Sequence, residues 1–346
     1  MSKRSEEKPG FADIAYENRR RKPSFLDKVN GIIDWRPIDK VLKKALRRKK
    51  ITPGNAPYPA LNMFKILLLQ NWYNLSDAGM EENLADRASF SVFAGFSLDL
   101  PVPDSSTICR FRNSLLDAQV SSKLFDIING QLAAGGFIVK QGALLDASIV
   151  ESSCHPRKTT DIEYMEPAAD TPNENDNLKV EVHYSKDTDA SWTVKGGKPY
   201  YGYKIHAVTD NGPGFVLACH ATSANVADTC EFEKLVDNAQ MPQGASISAD
   251  KAYASQSNRD KLLNDGFIDH ILQKAFRNRP LSETQKESNK LLSKTRSRIE
   301  RLFGTLKRSY GFRRTRYIGL AKVEQELTLK VISFNIKKAC LIQIRA

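Results

Sequence analysis

Apolar residues recur at two different periods along this chain, and the change of period divides it. Leu61, Phe64, Leu67 and Leu68 fall at helical spacing and continue to Trp72, which predicts a helix after the break at Pro53-Gly54-Asn55 and Pro57. Ser76 can cap the next helix, which carries Met80 and Leu84, and Asp104-Ser105-Ser106-Thr107 opens a third. Three short helices ending in Thr107-Ile108-Cys109-Arg110-Phe111-Arg112 suggest a helix-turn-helix-like module, although any small helical bundle has this pattern. Residues 24–50 read as helical, as do 120–135, closed by Gly135-Gly136. Beyond that point the period shortens to two. Strands are predicted at 143–150, 201–209 and 214–222, then a helix near 227–239 and a strand at 245–250. A helix near 255–264, a strand at 267–272 and long helices near 283–309 and 321–342 complete the chain. The order β-β-β-α-β-α-β-α predicts an α/β layer built on a mixed sheet, preceded by an all-α region. The expected units are a basic arm and helix at 1–50, a helical unit at 51–135 and an α/β domain at 136–346. The polar stretch 151–198, with Asp170 to Asp176 its least core-like part, reads as an exposed insertion of disordered character.

Charge sharpens this division. The net charge of the 346 residues is +12. Residues 1–50 carry 16 Lys and Arg against 7 acids, and 271–346 carry 19 against 5, so the middle of the chain is acidic. Two basic ends around an acidic middle suit a long polyanion bound at both ends, with carboxylates between them held for metal. Five cysteines without a C-x-x-C pair argue against a disulfide framework. Cys154-His155 and Cys219-His220 are adjacent pairs, but neighbours rarely share one tetrahedral zinc site. The polar N-terminus and the lack of a long apolar run predict a cytoplasmic protein with no membrane partner.

Three acidic residues carry the candidate chemistry. Asp146 lies within Ala143-Leu144-Leu145-Asp146-Ala147-Ser148-Ile149-Val150, where a carboxylate pays a desolvation cost unless something offsets it. Asp250 closes Ala245-Ser246-Ile247-Ser248-Ala249-Asp250, at the carboxyl edge where α/β sheets place ligands, though a helix N-cap would also explain it. Glu300 shares a helical stripe with Arg296 and Lys307, beside an apolar stripe of Ile299, Leu302, Phe303 and Leu306. Taken singly, Asp146 could be a structural aspartate and Glu300 half of a surface ion pair. Taken together, three carboxylates could hold two divalent ions about 4 Å apart, with carboxylate oxygens favouring Mg²⁺. Arg296 and Lys307 would then bind phosphates of the same strand.

With these residues the chain resembles bacterial insertion-sequence transposases of the DDE class, over about residues 50–340. Asp146, Asp250 and Glu300 match that family's acidic residues in order and context. Arg296, Glu300 and Lys307 fit its late Tyr-x2-Arg-x3-Glu-x6-Lys motif, with Ser293 at the tyrosine position. Ser191 to Lys198, Tyr201-Gly202-Tyr203-Lys204-Ile205-His206, Thr222 to Asp228 and Ala249-Asp250-Lys251-Ala252-Tyr253 are similar to further segments of the family. The block 56–115 resembles its N-terminal helical domain. The resemblance implies an RNase H-like catalytic domain, Mg²⁺ (with Mn²⁺ as substitute), and cleavage of terminal inverted repeats followed by joining of the 3′ ends to target DNA. It implies DNA as partner, and a homodimer on that DNA. Asp146, Asp250 and Glu300 would be both catalytic and metal-binding. Arg296, Lys307, Arg298, Arg301, Lys204, Lys251, Arg110 and Arg112 are the candidate phosphate and DNA contacts. An RNase H-like nuclease without strand transfer, or an inactive DNA-binding relative, stays open as an alternative.

Overall fold

In the computed structural model, residues 10–19, 22–47, 56–154, 156, 159–164, 178–183, 185–275 and 280–343 are described. The arginines and lysines at 20–21 and 48–50, and the acidic run 170–176, lie outside them. The first part is helical: α1 (Phe11–Arg19), α2 (Phe25–Ile32), α3 (Trp35–Ala45), α4 (Ala60–Tyr73), α5 (Asp77–Asp86), α6 (Ala88–Ala94), α7 (Ser105–Asp117) and α8 (Ser121–Ala134). Caps fix where these helices begin. Ser24 and Asp27 form a capping box on α2, while Ser76 and Asp104 cap α5 and α7 as their positions predicted. The helical stretch expected over 24–50 is, within the described residues to 47, two helices. Asp34 accepts the Arg36 N–H at 3.0 Å and starts α3 afresh, with Ile33 extended between the helices.

The second part is a mixed sheet flanked by helices. Its strands are β1 (Gly142–Glu151), β4 (Ser191–Lys195), β5 (Lys198–Asp210), β6 (Val216–Ser223), β7 (Ser246–Ala249) and β8 (Ile268–Ile271). β1 is central, antiparallel to β5 on one side and parallel to β7 on the other, with β8 parallel beyond. β4 and β6 both pair with β5, β4 along its first residues and β6 along the rest. Gly202 sits where these strands converge, and a Cβ there would collide with the Val150 carbonyl. The stretch 151–198 holds more structure than its composition predicted. A separate ladder joins β2 (Thr159–Tyr164) to β3 (Leu178–His183), and β4 joins the main sheet. Polar sequence misled here because a backbone ladder needs no apolar side chains to form.

Helices α9 (Phe232–Ala239), α10 (Gln256–Asn264), α11 (Glu283–Arg308) and α12 (Leu320–Gln343) complete the fold. Residues 323–336 of α12 are nearly all buried, as are most of α4, because each helix lies between other layers rather than on a surface. α12 packs on β6 and also on α2, α4 and α8, so one apolar core runs through both parts. Polar groups are matched across this junction. The Trp72 indole N–H donates to the Ser333 carbonyl at 2.8 Å, and Gln325 donates to the Arg112 carbonyl at 3.0 Å. Arg316 donates to the Leu75 carbonyl and to Asn74 Oδ1, both at 2.6 Å. The buried Lys330 ammonium lies 3.4 Å from Glu326 and donates to the Tyr310 carbonyl at 2.8 Å. Among the described residues no helix is long and apolar enough to cross a membrane.

Candidate active site

Strand register brings Asp146 and Asp250 together. The parallel pairing runs from Gly142–Ser246 to Leu144–Ser248, and Asp146 and Asp250 each lie two residues beyond that last pair. Side chains alternate along a strand, so both carboxylates leave on the same sheet face, at the carboxyl end of the parallel pair. α11 crosses that face. Its Ile299, Leu302, Phe303 and Leu306 are buried, which turns Arg296 towards the sheet. The guanidinium spans the two acids: Nη2 stands 3.3 Å from Asp146 Oδ2 and Nη1 stands 3.2 Å from Asp250 Oδ1. The other oxygen of Asp146 accepts the Ala147 N–H at 2.8 Å, while the same Asp250 Oδ1 that faces Arg296 also accepts the Lys251 N–H at 2.6 Å. Asp250 does serve as an N-cap, but of the short 3-10 turn Lys251–Tyr253, while Ser255 caps α10.

The electrostatics show what this pair lacks. Burial pushes the Asp146 carboxyl above its usual range, and the nearby Asp250 charge adds to the rise. Arg296, the Ala147 N–H and Lys195 oppose it. One guanidinium shared between two carboxylates leaves the site short of positive charge. It also leaves Arg296 Nε buried without a partner. The donor set is oxygen only, which suits a hard divalent cation such as Mg²⁺ better than zinc. Glu300 lies one turn beyond Arg296 on α11. It is exposed and, among the described residues, makes no ion pair and joins no cluster of three metal-binding side chains. The structure therefore brings together two of the three expected acids.

The expected cations fall into three groups. Arg298, Arg301, Lys251 and Arg110 are exposed, and Lys307 is half-buried, its ammonium pKa lowered by burial and then by Lys195 and Arg313. Arg296 is engaged by the acids. Arg112 and Lys204 are committed to the protein itself, contrary to expectation. Arg112 is 7% exposed and bonded to Asp77 and Gln70. Lys204 pairs with Ile149 across the β1–β5 ladder, on the sheet face opposite Asp146. Its ammonium donates to the Val226 carbonyl at 2.6 Å and lies 2.9 Å from Asp228. Two residues near the acids were named only within family-like segments, with no role expected of them. Lys195 reaches both Asp146 and Lys307 electrostatically, and its signal was the Gly196-Gly197 pair between strand-like residues. Tyr253 is fully buried with an unpartnered hydroxyl, its pKa raised by burial and then by Asp228, Asp146 and Asp250.

A protein-family model described as "Transposase DDE domain" matches residues 145–336, more than half of the chain. The chain belongs to the DDE transposase family. A second model, "Transposase domain (DUF772)", matches residues 14–114 of the transposase. Among solved structures, a piggyBac transposase synaptic complex with hairpin DNA is similar at 13% identity, over 94% of this chain and 77% of that one, with a TM-score of 0.47. The Mos1 strand transfer complex is similar at 7% identity, over 93% and 98%, with a TM-score of 0.21. These scores are too low to carry residue positions across. The matched DDE segment begins one residue before Asp146 and includes Asp250, Arg296, Glu300 and Lys307.

Proposed function

We propose that this transposase cleaves the terminal inverted repeats of its insertion sequence and joins the freed 3′ ends to target DNA. In this reading Asp146, Asp250 and Glu300 are the catalytic carboxylates and hold the divalent metal. The observation that carries it is the pair Asp146 and Asp250, each two residues past the last pair of the β1–β7 ladder and both drawn to a single cation. When bound, Mg²⁺ (or Mn²⁺) supplies the charge that activates a water or 3′-hydroxyl and stabilises the leaving oxygen. The chain's own residues orient the DNA. Arg296, once released from the carboxylates, offers a bidentate fork to a backbone phosphate. Lys307, Arg298 and Arg301 extend the same helix as a track for the strand. Arg110, on the exposed side of α7, contacts DNA from the helical part, where phosphate contacts set position and base contacts set specificity. Two element ends must be held at once, so the DNA-bound form is a homodimer.

The test is a cleavage assay on DNA from the flanks of the protein's own gene, with and without Mg²⁺, scoring nicked and joined products separately. Asp146→Asn, Asp250→Asn and Glu300→Gln should each abolish cleavage and leave DNA binding largely intact. Normal cleavage by the Glu300→Gln protein would remove Glu300 from the assignment. Cutting without joining would make the protein a nuclease.

A further inference from the structure

Residues 198–200 of β5 pair with β4 alone: the β1 ladder with β5 starts at Gly202, and the Tyr201 carbonyl takes one further bond, from the Ser152 N–H just past β1, at 2.9 Å. The hairpin therefore leaves the sheet as a two-stranded ribbon. Its turn, Gly196-Gly197, has φ values of +57° and +75°, as a two-residue turn between twisted strands requires. Paired residues share a sheet face. Trp192 thus follows Tyr201, and Tyr201 follows Tyr203, Ile205 and Ala207, the partner of Asp146. Trp192 and Val194 accordingly stand on the Asp146 side, 55% and 70% exposed, with the indole 5.4 Å from the Tyr201 ring. Lys195 and Lys198 close the tip, both exposed. Lys195 is near enough to act on Asp146 and Lys307, and Arg313 acts on Lys307 as well.

An indole and an isopropyl group on one face, edged by cations, are poorly matched to water. They match a ligand that combines flat apolar surfaces with negative charge. A nucleic-acid strand with an unstacked base has both. We propose that the β4–β5 ribbon is a DNA contact, in which an unpaired base beside the reacting phosphodiester stacks on Trp192, and Lys195 and Lys198 take the flanking phosphates. The proposal rests on the function given above and names what that site does to the strand end.

The test uses the full chain in EDTA with two duplexes of one sequence: one fully paired, the other with a few mismatched pairs at one end and 2-aminopurine among them. The wild type should bind the mismatched duplex more tightly and quench its 2-aminopurine. Trp192→Ala should lose roughly tenfold on that duplex, within the range expected for one stacked base, and less than about twofold on the paired one. Trp192→Phe should recover most of the loss. Trp192 is exposed, so the variants should keep the wild-type circular dichroism. Undiminished binding of the mismatched duplex by Trp192→Ala would overturn the proposal. So would equal losses on both duplexes, which would make the ribbon a backbone contact only. A change in sedimentation without a change in DNA affinity would assign the surface to a second copy of the chain, and overturn it too. A wild-type protein that binds neither duplex would bring down the transposase reading itself, whereas a binding wild type with an indifferent Trp192→Ala sinks only the ribbon.

Discussion

Metal binding at the Asp146–Asp250 pair should be visible as heat stability. Without metal, the raised pKa of Asp146 means that its ionised form opposes folding. That cost is absent below the unfolded carboxyl value of about 3.9, grows as pH rises through the folded value, and is full above it. A divalent ion bound to the folded state alone adds RT ln(1 + [L]/Kd), about 2.7 kcal/mol at a hundred times Kd. Unfolding entropy is about 2.1 cal/mol/K per residue, or roughly 0.7 kcal/mol/K over this chain. The melting temperature should therefore rise by about 4 °C in saturating Mn²⁺, measured by scanning calorimetry at pH 7 and constant ionic strength. Asp146→Asn and Asp250→Asn should each reduce that rise to less than about 1 °C. The metal-free Asp146→Asn protein should melt close to wild type, since the substitution removes a buried charge as well as a contact to Arg296. An equal rise in wild type and both variants, or no rise in any of them, would refute the two aspartates as the metal's holders.

Arg112→Ala should cost about 3–5 kcal/mol, because it strands Asp77 in a largely buried pair, and calorimetry should show the fall in melting temperature. Arg110→Ala should leave that temperature unchanged and weaken DNA binding. DNA affinity should fall steeply with salt, and Arg298→Ala should flatten the log–log slope by about one, while Lys204→Ala should not. Glu324 is raised to about 7 by burial, partly offset by the Ala221 N–H it accepts. An acid with a raised folded pKa holds its proton longer in the folded state, so its contribution to stability falls between pH 4.5 and 7. Denaturant melts should show this decline in the wild type and its removal in Glu324→Gln.

Much of the site was legible because strand parity is written in sequence. An aspartate in an apolar run and another at the end of a later run must point somewhere, and here both reach the Arg296 guanidinium just past the last parallel pair. Glu300 was legible in order and in helical stripe, but a stripe does not tell how far a side chain stops from the sheet. Arg112 and Lys204 were misread for one shared reason. A cation looks the same in sequence whether it faces a phosphate or an internal carboxylate, and Asp77 and Asp228 are 35 and 24 residues away from them. The helical caps at Ser76 and Asp104 were readable because capping is local, whereas Asp34 was missed inside a run that otherwise kept helical spacing.

The shared interior beneath α12 has a consequence for how such a molecule can change. The Arg316 guanidinium and the Trp72 indole are satisfied by groups from distant stretches of chain. Severing the polypeptide near 135 would therefore leave two sticky fragments rather than two working modules. The helical and α/β parts share one core and should melt in a single transition. Change would have to come by repainting the outer helices, since among the described residues α8 runs into β1 with only a short connection between them.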